Sequence, residues 1–237
     1  MIHPKALVED QQALGQNTAV WAFAHVMKGA TVGTDCNIGD HAFIESGAVV
    51  GDRVTLKNQV LLWEGVTLED DVFVGPRVTF TNDRFPRSAR MDKVQDKYAV
   101  KENWLVETLV RQGCSIGANA TICPGVELGQ YCMIAAGSVV TADVEPHSLV
   151  AGNPAKHIGF VCSCGEKLAG HYEQFACQVC GEKGSERAQR DSGKCKETAK
   201  GRVGQVQCAG QSVIHVQPVM VSRHISKLLQ RARIDGN

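Results

Sequence analysis

Aromatic residues are scarce, 5% of 237, which suits a narrow interior filled by Val, Ile, Leu and Ala rather than a broad one packed with rings. No stretch approaches the length of a membrane span, and no cationic leader followed by an apolar run opens the chain. Those absences predict a cytoplasmic protein with no membrane span. Net charge is missing too, since 25 Lys and Arg balance 25 Asp and Glu. With no overall basic field, nucleic acid is not an expected partner. The balance is uneven along the chain: residues 1–180 hold 14 basic against 20 acidic side chains, and 181–237 hold 11 against 5.

What the sequence does have is a six-residue beat. Every sixth position from Leu14 through Val20, Val26, Val32, Ile38, Ile44, Val50, Leu56, Leu62, Leu68 and Val74 to Phe80 is apolar. Two places earlier, from Thr18 to Val78, the residue is small or β-branched. The same count past Phe80 lands on Pro86, Asp92, Tyr98 and Trp104, and the beat resumes at Val110, Ile116, Ile122, Leu128, Ile134 and Val140. Residues 81–107 are therefore a loop thrown out of the repeat. A fixed short period marks a solenoid whose units bury their apolar faces only by stacking. Six residues admit an extended stretch and a corner, not a helix pair. Gly15, Gly33, Gly39, Gly51, Gly75, Gly117 and Gly129 follow inward residues directly, where a turning backbone gains from lacking a Cβ. The expected fold is an all-β parallel β-helix over 1–160.

Cys36, Cys114, Cys123 and Cys132 fall in or beside the small hexad positions and read as reduced packing residues. Cys162, Cys164, Cys177 and Cys180 form C-x-C-x12-C-x2-C, with Gly165 and Gly181 after each pair. Two such knuckles can supply four thiolates to one tetrahedral structural Zn²⁺, which makes 161–184 a zinc-ribbon-like appendage; four free thiols is the alternative. Cys195 and Cys208 have no partners at useful spacing. Residues 185–237 are a polar, basic tail expected to be loosely ordered. Its last part, "VSRHISKLLQRAR", places Val221, Ile225, Leu228, Leu229 and Ala232 on one face of a C-terminal packing helix.

The hexads resemble those of the left-handed β-helix, or hexapeptide-repeat, acyltransferases, and the left hand is an implication of that resemblance. So is a homotrimer with active sites at subunit junctions. "FTNDRFPRS" in the loop, "GANATICPGVELG" after it and "GSVVTADVEPHSLVAGNPAKHIGFVCSCGEKL" at the end of the coil narrow the likeness. Together they are similar to the enzymes that transfer acetyl from acetyl-CoA to the 3-amino group of a UDP- or dTDP-linked sugar, in cell-surface polysaccharide synthesis. "AGNPAK" is shared by many hexapeptide acyltransferases and selects little, whereas the "FTN" loop selects more.

Acetyl transfer from a thioester to an amine needs a neutral amine held in line with the carbonyl and relieved of a proton as the bond forms. Asn82 offers a side-chain carbonyl to aim the amine, and Asp83 offers the same with a charge; both also suit an Asx turn into the loop. The resemblance implies that the matching Asn positions the amine while the departing CoA sulfur takes the proton. It also places His25 near the nucleotide-sugar site, a second catalytic candidate. His41, in "GDHAFIESG", can face outward into a cleft as a substrate contact. Arg84, Arg87 and Arg90 form a positive patch suited to a sugar-nucleotide diphosphate. For acetyl-CoA the family's groove between coils implies Ala136, Gly137 and Thr141 as a wall of small residues, with Lys156 at a phosphate. Corner packing and solvation account for these same residues equally simply.

Two other functions fit this scaffold. One is an O-acetyltransferase with His25 or His41 as base; the other is a non-enzymatic solenoid that binds proteins through its flat faces. The lack of any histidine between His41 and His147 weighs against a carbonic-anhydrase-like β-helix, which needs three to hold a catalytic zinc.

Overall fold

The computed structural model describes residues 1–170, Gln174 and 176–184. The basic tail, its helix, Cys195 and Cys208 lie outside the described residues. Two-residue strands such as Ala19–Val20, His25–Val26 and Thr31–Val32 alternate with tight corners. Through most of the coil a strand pairs in parallel with the residues eighteen further on, as His25 does with Phe43 and Asn37 with Thr55. Three hexads thus make one coil. The result is the left-handed parallel β-helix expected, with sheets of seven, five and nine strands on its three faces. The first face carries Ala19–Val20, the second His25–Val26 and the third Thr31–Val32.

The core is the hexad column itself. Val20, Ile38, Ile44, Leu56, Leu62, Phe80, Ile116, Ile122 and Leu128 are fully buried, interleaved with Ala24, Ala48, Val54, Val60 and Ala120. In a strand of two residues, one side chain points in and its neighbour out. Burial in every hexad therefore falls on the same two positions, and stacking supplies what no single coil can bury. Cys36, Cys114 and Cys132 sit inside as expected, with Cys114 Sγ 3.2 Å from Cys132 Sγ one coil away.

The glycines after the inward residues do a different job from the one expected. Their backbones do not turn into the left-handed region; that conformation falls on corner residues such as Asn17, Asp35, His41, Gly137 and His147. What the glycines avoid is collision with the next coil. A Cβ on Gly117 would lie 2.5 Å from the Ala136 backbone nitrogen and 2.8 Å from the Ile134 carbonyl oxygen. Close approach of stacked backbones, not turning, selects glycine there.

From Val66 the pairing partner lies forty-two residues further on instead of eighteen, Val66 with Thr108, Phe73 with Ser115 and Thr79 with Thr121, because the chain leaves the coil after Phe80, at the corner between second and third faces. It re-enters in Thr108–Val110. The loop is closed at its base by the Val106 N–H donating to the Asn82 carbonyl, 2.9 Å. It carries a short helix, Gln95–Ala99, between two 3₁₀ turns. Beyond the last coil, Ala155–Val161 turns back antiparallel on Ser148–Gly152 and pairs with Lys167–Leu168. The sheet therefore continues through residue 160 into the cysteine knuckle, and the coils and the knuckle belong to one compact unit.

Candidate active site

The loop is wired through Asp83. Its carboxylate accepts from Lys97 Nζ at 2.8 Å to each oxygen, from Tyr98 Oη at 2.8 Å and from the Phe85 N–H at 2.9 Å. Burial alone would raise this carboxyl, but the hydrogen bonds from Lys97, Phe85 and Tyr98, with the Lys97 charge, hold it below its ordinary value. Tyr98 Oη in turn accepts from the Arg87 N–H, 2.8 Å, and the Tyr98 ring lies against Trp104 with centroids 5.9 Å apart. Lys101 Nζ reaches down to Glu64 Oε1, 2.6 Å. Asp83 is thus spent on loop shape, and Lys97, Tyr98 and Glu64, none of them among the site candidates of the sequence, help to set that shape.

Asn82 stands one coil above Glu64 and donates from Nδ2 to the Glu64 carbonyl, 3.2 Å. That bond fixes the amide plane, and among the described residues the amide oxygen carries no hydrogen bond. It is half-buried at the root of the loop. Arg84 is exposed, and its guanidinium covers Gly125, where a Cβ would strike Nη2. Arg87 and Arg90 are exposed as well. None of the three has a carboxylate within ion-pair distance among the described residues, so their charge is available to an anion.

Directly above Thr81 along the same corner stand Cys123 and then Thr141. The Thr81 N–H donates to the Ile122 carbonyl and the Cys123 N–H to the Val140 carbonyl. Two coil rises of ~4.8 Å put Thr141 roughly 10 Å above the Asn82 level. Thr141 opens into a cavity of about 550 Å³ at the end of the helix, bounded also by Ala142, Lys156, His157 and Phe160. Of the four residues expected at the donor, Thr141 and Lys156 meet here. Ala136 lies across the second face, in a separate apolar groove of about 420 Å³ with Phe73 and Met133. Gly137, beside it, has open space where a Cβ would point.

His25 is on the second face three coils below Asn82, through the pairings with Phe43, Leu61 and Thr79. That is roughly 14 Å, so the two do not converge within one chain. His25 Nε2 is 2.8 Å from Glu9 Oε1, a partner the sequence did not announce. The Lys28 N–H and His25 hold the Glu9 carboxyl below its usual range. The His25 ring meets Phe43 edge-on, and Phe43 meets Trp63, at 5.4 and 5.5 Å. His41 is exposed at the opposite corner against Phe23, rings 4.9 Å apart, and among the described residues no carboxylate orients it.

The four cysteines come together. Cys162 and Cys180 Sγ are 3.5 Å apart, Cys164 and Cys177 Sγ 3.6 Å, and all four sulfurs lie within 4.8 Å of one another. Each pair sits in a knuckle closed by a glycine N–H: Gly165 donates to the Cys162 carbonyl and Gly181 to that of Cys177, both 2.9 Å. Both glycines are left-handed, φ 90 and 74°. The N–H groups of Cys180 and Val179 bring the Cys177 thiol down to about 7. Four Zn–S bonds of ~2.3 Å would place sulfurs ~3.8 Å apart, so the donor set fits a tetrahedral thiophilic ion.

Comparison with known proteins agrees with the repeat. The family described as bacterial transferase hexapeptide (six repeats) matches residues 107–142, and that described as hexapeptide repeat of succinyl-transferase matches 29–62. A dTDP-3-amino-3,6-dideoxy-alpha-D-galactopyranose 3-N-acetyltransferase of Aneurinibacillus thermoaerophilus is 46% identical over 182 residues, 77% of this chain and 88% of that protein. Serine acetyltransferase 4 of Arabidopsis thaliana is 52% identical over 52 residues, 22% of this chain and 15% of that one. Among solved structures, the acetyltransferase domain of PglB from Neisseria gonorrhoeae is 21% identical, over 66% of this chain and 56% of that chain, with a TM-score of 0.42. Among the described residues, no helix is long and apolar enough to cross a membrane.

Proposed function

Because this chain belongs to the hexapeptide-repeat N-acetyltransferases of nucleotide-linked 3-amino sugars, we propose that it transfers acetyl from acetyl-CoA to the 3-amino group of a UDP- or dTDP-sugar. The observation that carries the site is Asn82, its amide plane fixed by Glu64 and its oxygen open at the root of the loop. The amine donates an N–H to the Asn82 oxygen, which aims its lone pair at the thioester carbonyl. The C–N bond forms, the C–S bond breaks, and the proton lost by nitrogen passes to the leaving CoA sulfur. No side-chain base is required. Arg84 and Arg87 hold the diphosphate as charge-assisted donors, Asp83 acts by fixing their loop, and His25, oriented by Glu9, meets the far end of the nucleotide.

The donor lies along the corner above Asn82, with Thr141 and Lys156 at the terminal cavity. Ala136 and Gly137 lie on the other edge of the same face. A homotrimer, with each site shared between two copies, lets both edges contribute. The Cys162, Cys164, Cys177 and Cys180 cluster holds a structural Zn²⁺, and reduced thiols with acetyl-CoA suit the cytoplasm. The test is thiol release from acetyl-CoA on addition of dTDP- and UDP-linked 3-amino sugars. Release with at least one of them is expected; silence with all of them contradicts the reading and favours a binding scaffold.

A further inference from the structure

The knuckle between residues 162 and 184 has almost no core of its own. Among its described residues only Cys162 and Cys177 are buried, and both are cluster members. A segment this short cannot pay for its own ordering by apolar burial, and folded segments of this size depend on metals or disulfides. The eight described cysteines are free thiols. Across the two knuckles the structure places the four sulfurs together and Ser163 Oγ on the Glu182 carboxylate, and an ion on the sulfurs would complete that junction.

The position of that metal site matters because of the strand that enters it. Ala155–Val161 runs straight into Cys162, and four of its residues, Ala155, Lys156, His157 and Phe160, form one wall of the 550 Å³ cavity. The opposite wall, from Val140 to Pro146, belongs to the last coil. The strand is held at its start by pairing with Ser148–Gly152. At its far end Phe160 pairs with Leu168 and Val161 with Lys167, residues that lie just after the first knuckle. Val161 also exchanges bonds with His147: its N–H donates to the His147 carbonyl at 2.8 Å, and its own carbonyl lies 3.0 Å from His147 Nδ1. The cavity wall therefore ends on a cluster ligand, and the short strand that flanks it is anchored by the same cluster.

We propose that the four-cysteine site is a metal-dependent clamp on the acetyl-CoA cavity: metal occupancy fixes the Ala155–Val161 wall and thereby sets donor affinity, while the acceptor side, built on the loop and lower coils, is unaffected. This rests on the donor reading given above. Lys156, His157 and Phe160 are positioned by the clamp; the cysteines touch no substrate.

The test uses the full chain, metal-loaded and after removal of metal by a thiol-competent chelator, with metal content measured by elemental analysis. Acetyl-CoA binding and UDP and dTDP binding are measured by calorimetry, and circular dichroism checks the coils. Expected is one zinc per chain when loaded, and a loss of acetyl-CoA affinity of about tenfold or more on stripping. Nucleotide affinity and the β signal should be unchanged, and added Zn²⁺ should restore the donor affinity. Cys164→Ser and Cys180→Ser, at the exposed ligands, should reproduce the stripped behaviour without rescue. Equal acetyl-CoA affinity with and without metal overturns the clamp alone, as does absence of metal from the freshly purified protein. Failure of the loaded protein to bind acetyl-CoA overturns the donor reading and the clamp with it.

Discussion

Asp83 accepts four hydrogen bonds from its own loop, and its side chain is only 11% exposed. Pairs so shielded are screened less than surface ion pairs and contribute more than the few tenths of a kcal/mol typical of those. Because the folded state lowers the Asp83 carboxyl, its contribution is present at neutral pH and lost as pH falls through that lowered value. Asp83→Asn should show at pH 7 what the native loop shows only in acid. Proteolytic cleavage within residues 84–105 should rise about tenfold, equivalent to ~1.4 kcal/mol of loop opening, with thermal unfolding of the coils unchanged. An unaltered cleavage rate would contradict the wiring. Lys156→Ala, by contrast, should raise KM for acetyl-CoA and leave kcat nearly alone, the pattern of a contact made equally in ground and transition states.

At the scale of elements, the corners carry the sharpest predictions. Gly117 has ordinary backbone angles but no room, whereas Gly137 has room but a left-handed φ of 71°. Gly117→Ala forces apart two stacked coils and should destabilise by about 3 kcal/mol, the upper end of overpacking. Gly137→Ala strains only its own backbone and should cost about 1 kcal/mol. Thermal unfolding of the two variants distinguishes these costs; equal losses would mean that coil spacing is softer than it looks. The strands themselves were legible because burial repeats with the chain's own period. From Thr18 to Val140, each inward hexad position lies in the core in the described structure. The loop's extent was legible for the same reason, as a failure of period, but its wiring was not. Asp83, Lys97 and Tyr98 meet through a non-repeating fold of the chain, and nothing in their spacing marks it. The antiparallel return at Ala155–Val161 escaped likewise, since "AKHIGFV" keeps no six-residue beat. Among donor residues, Thr141 and Lys156 came together, while Ala136 fell on the other edge because a coil's corners point in three directions.

At the scale of the molecule, the residues proposed for the donor lie on two edges of the second face, beside separate cavities, and the proposed homotrimer joins them by packing copies around a threefold axis. Light scattering on the eluting protein should give three times the chain mass. A monomer that retains full activity would contradict a shared site. The central claim is that the interruption of the repeat at residue 82 is where the amine is held for attack. Steady-state acetylation of a dTDP- or UDP-linked 3-amino sugar, compared between the native chain, Asn82→Ala and His41→Ala, tests it most directly. The account predicts that Asn82→Ala lowers kcat by about 10²–10³ with acetyl-CoA binding intact, as removal of an orienting hydrogen bond should, and that His41→Ala stays within a fewfold of native. Retained turnover in Asn82→Ala, or its collapse in His41→Ala, would contradict it.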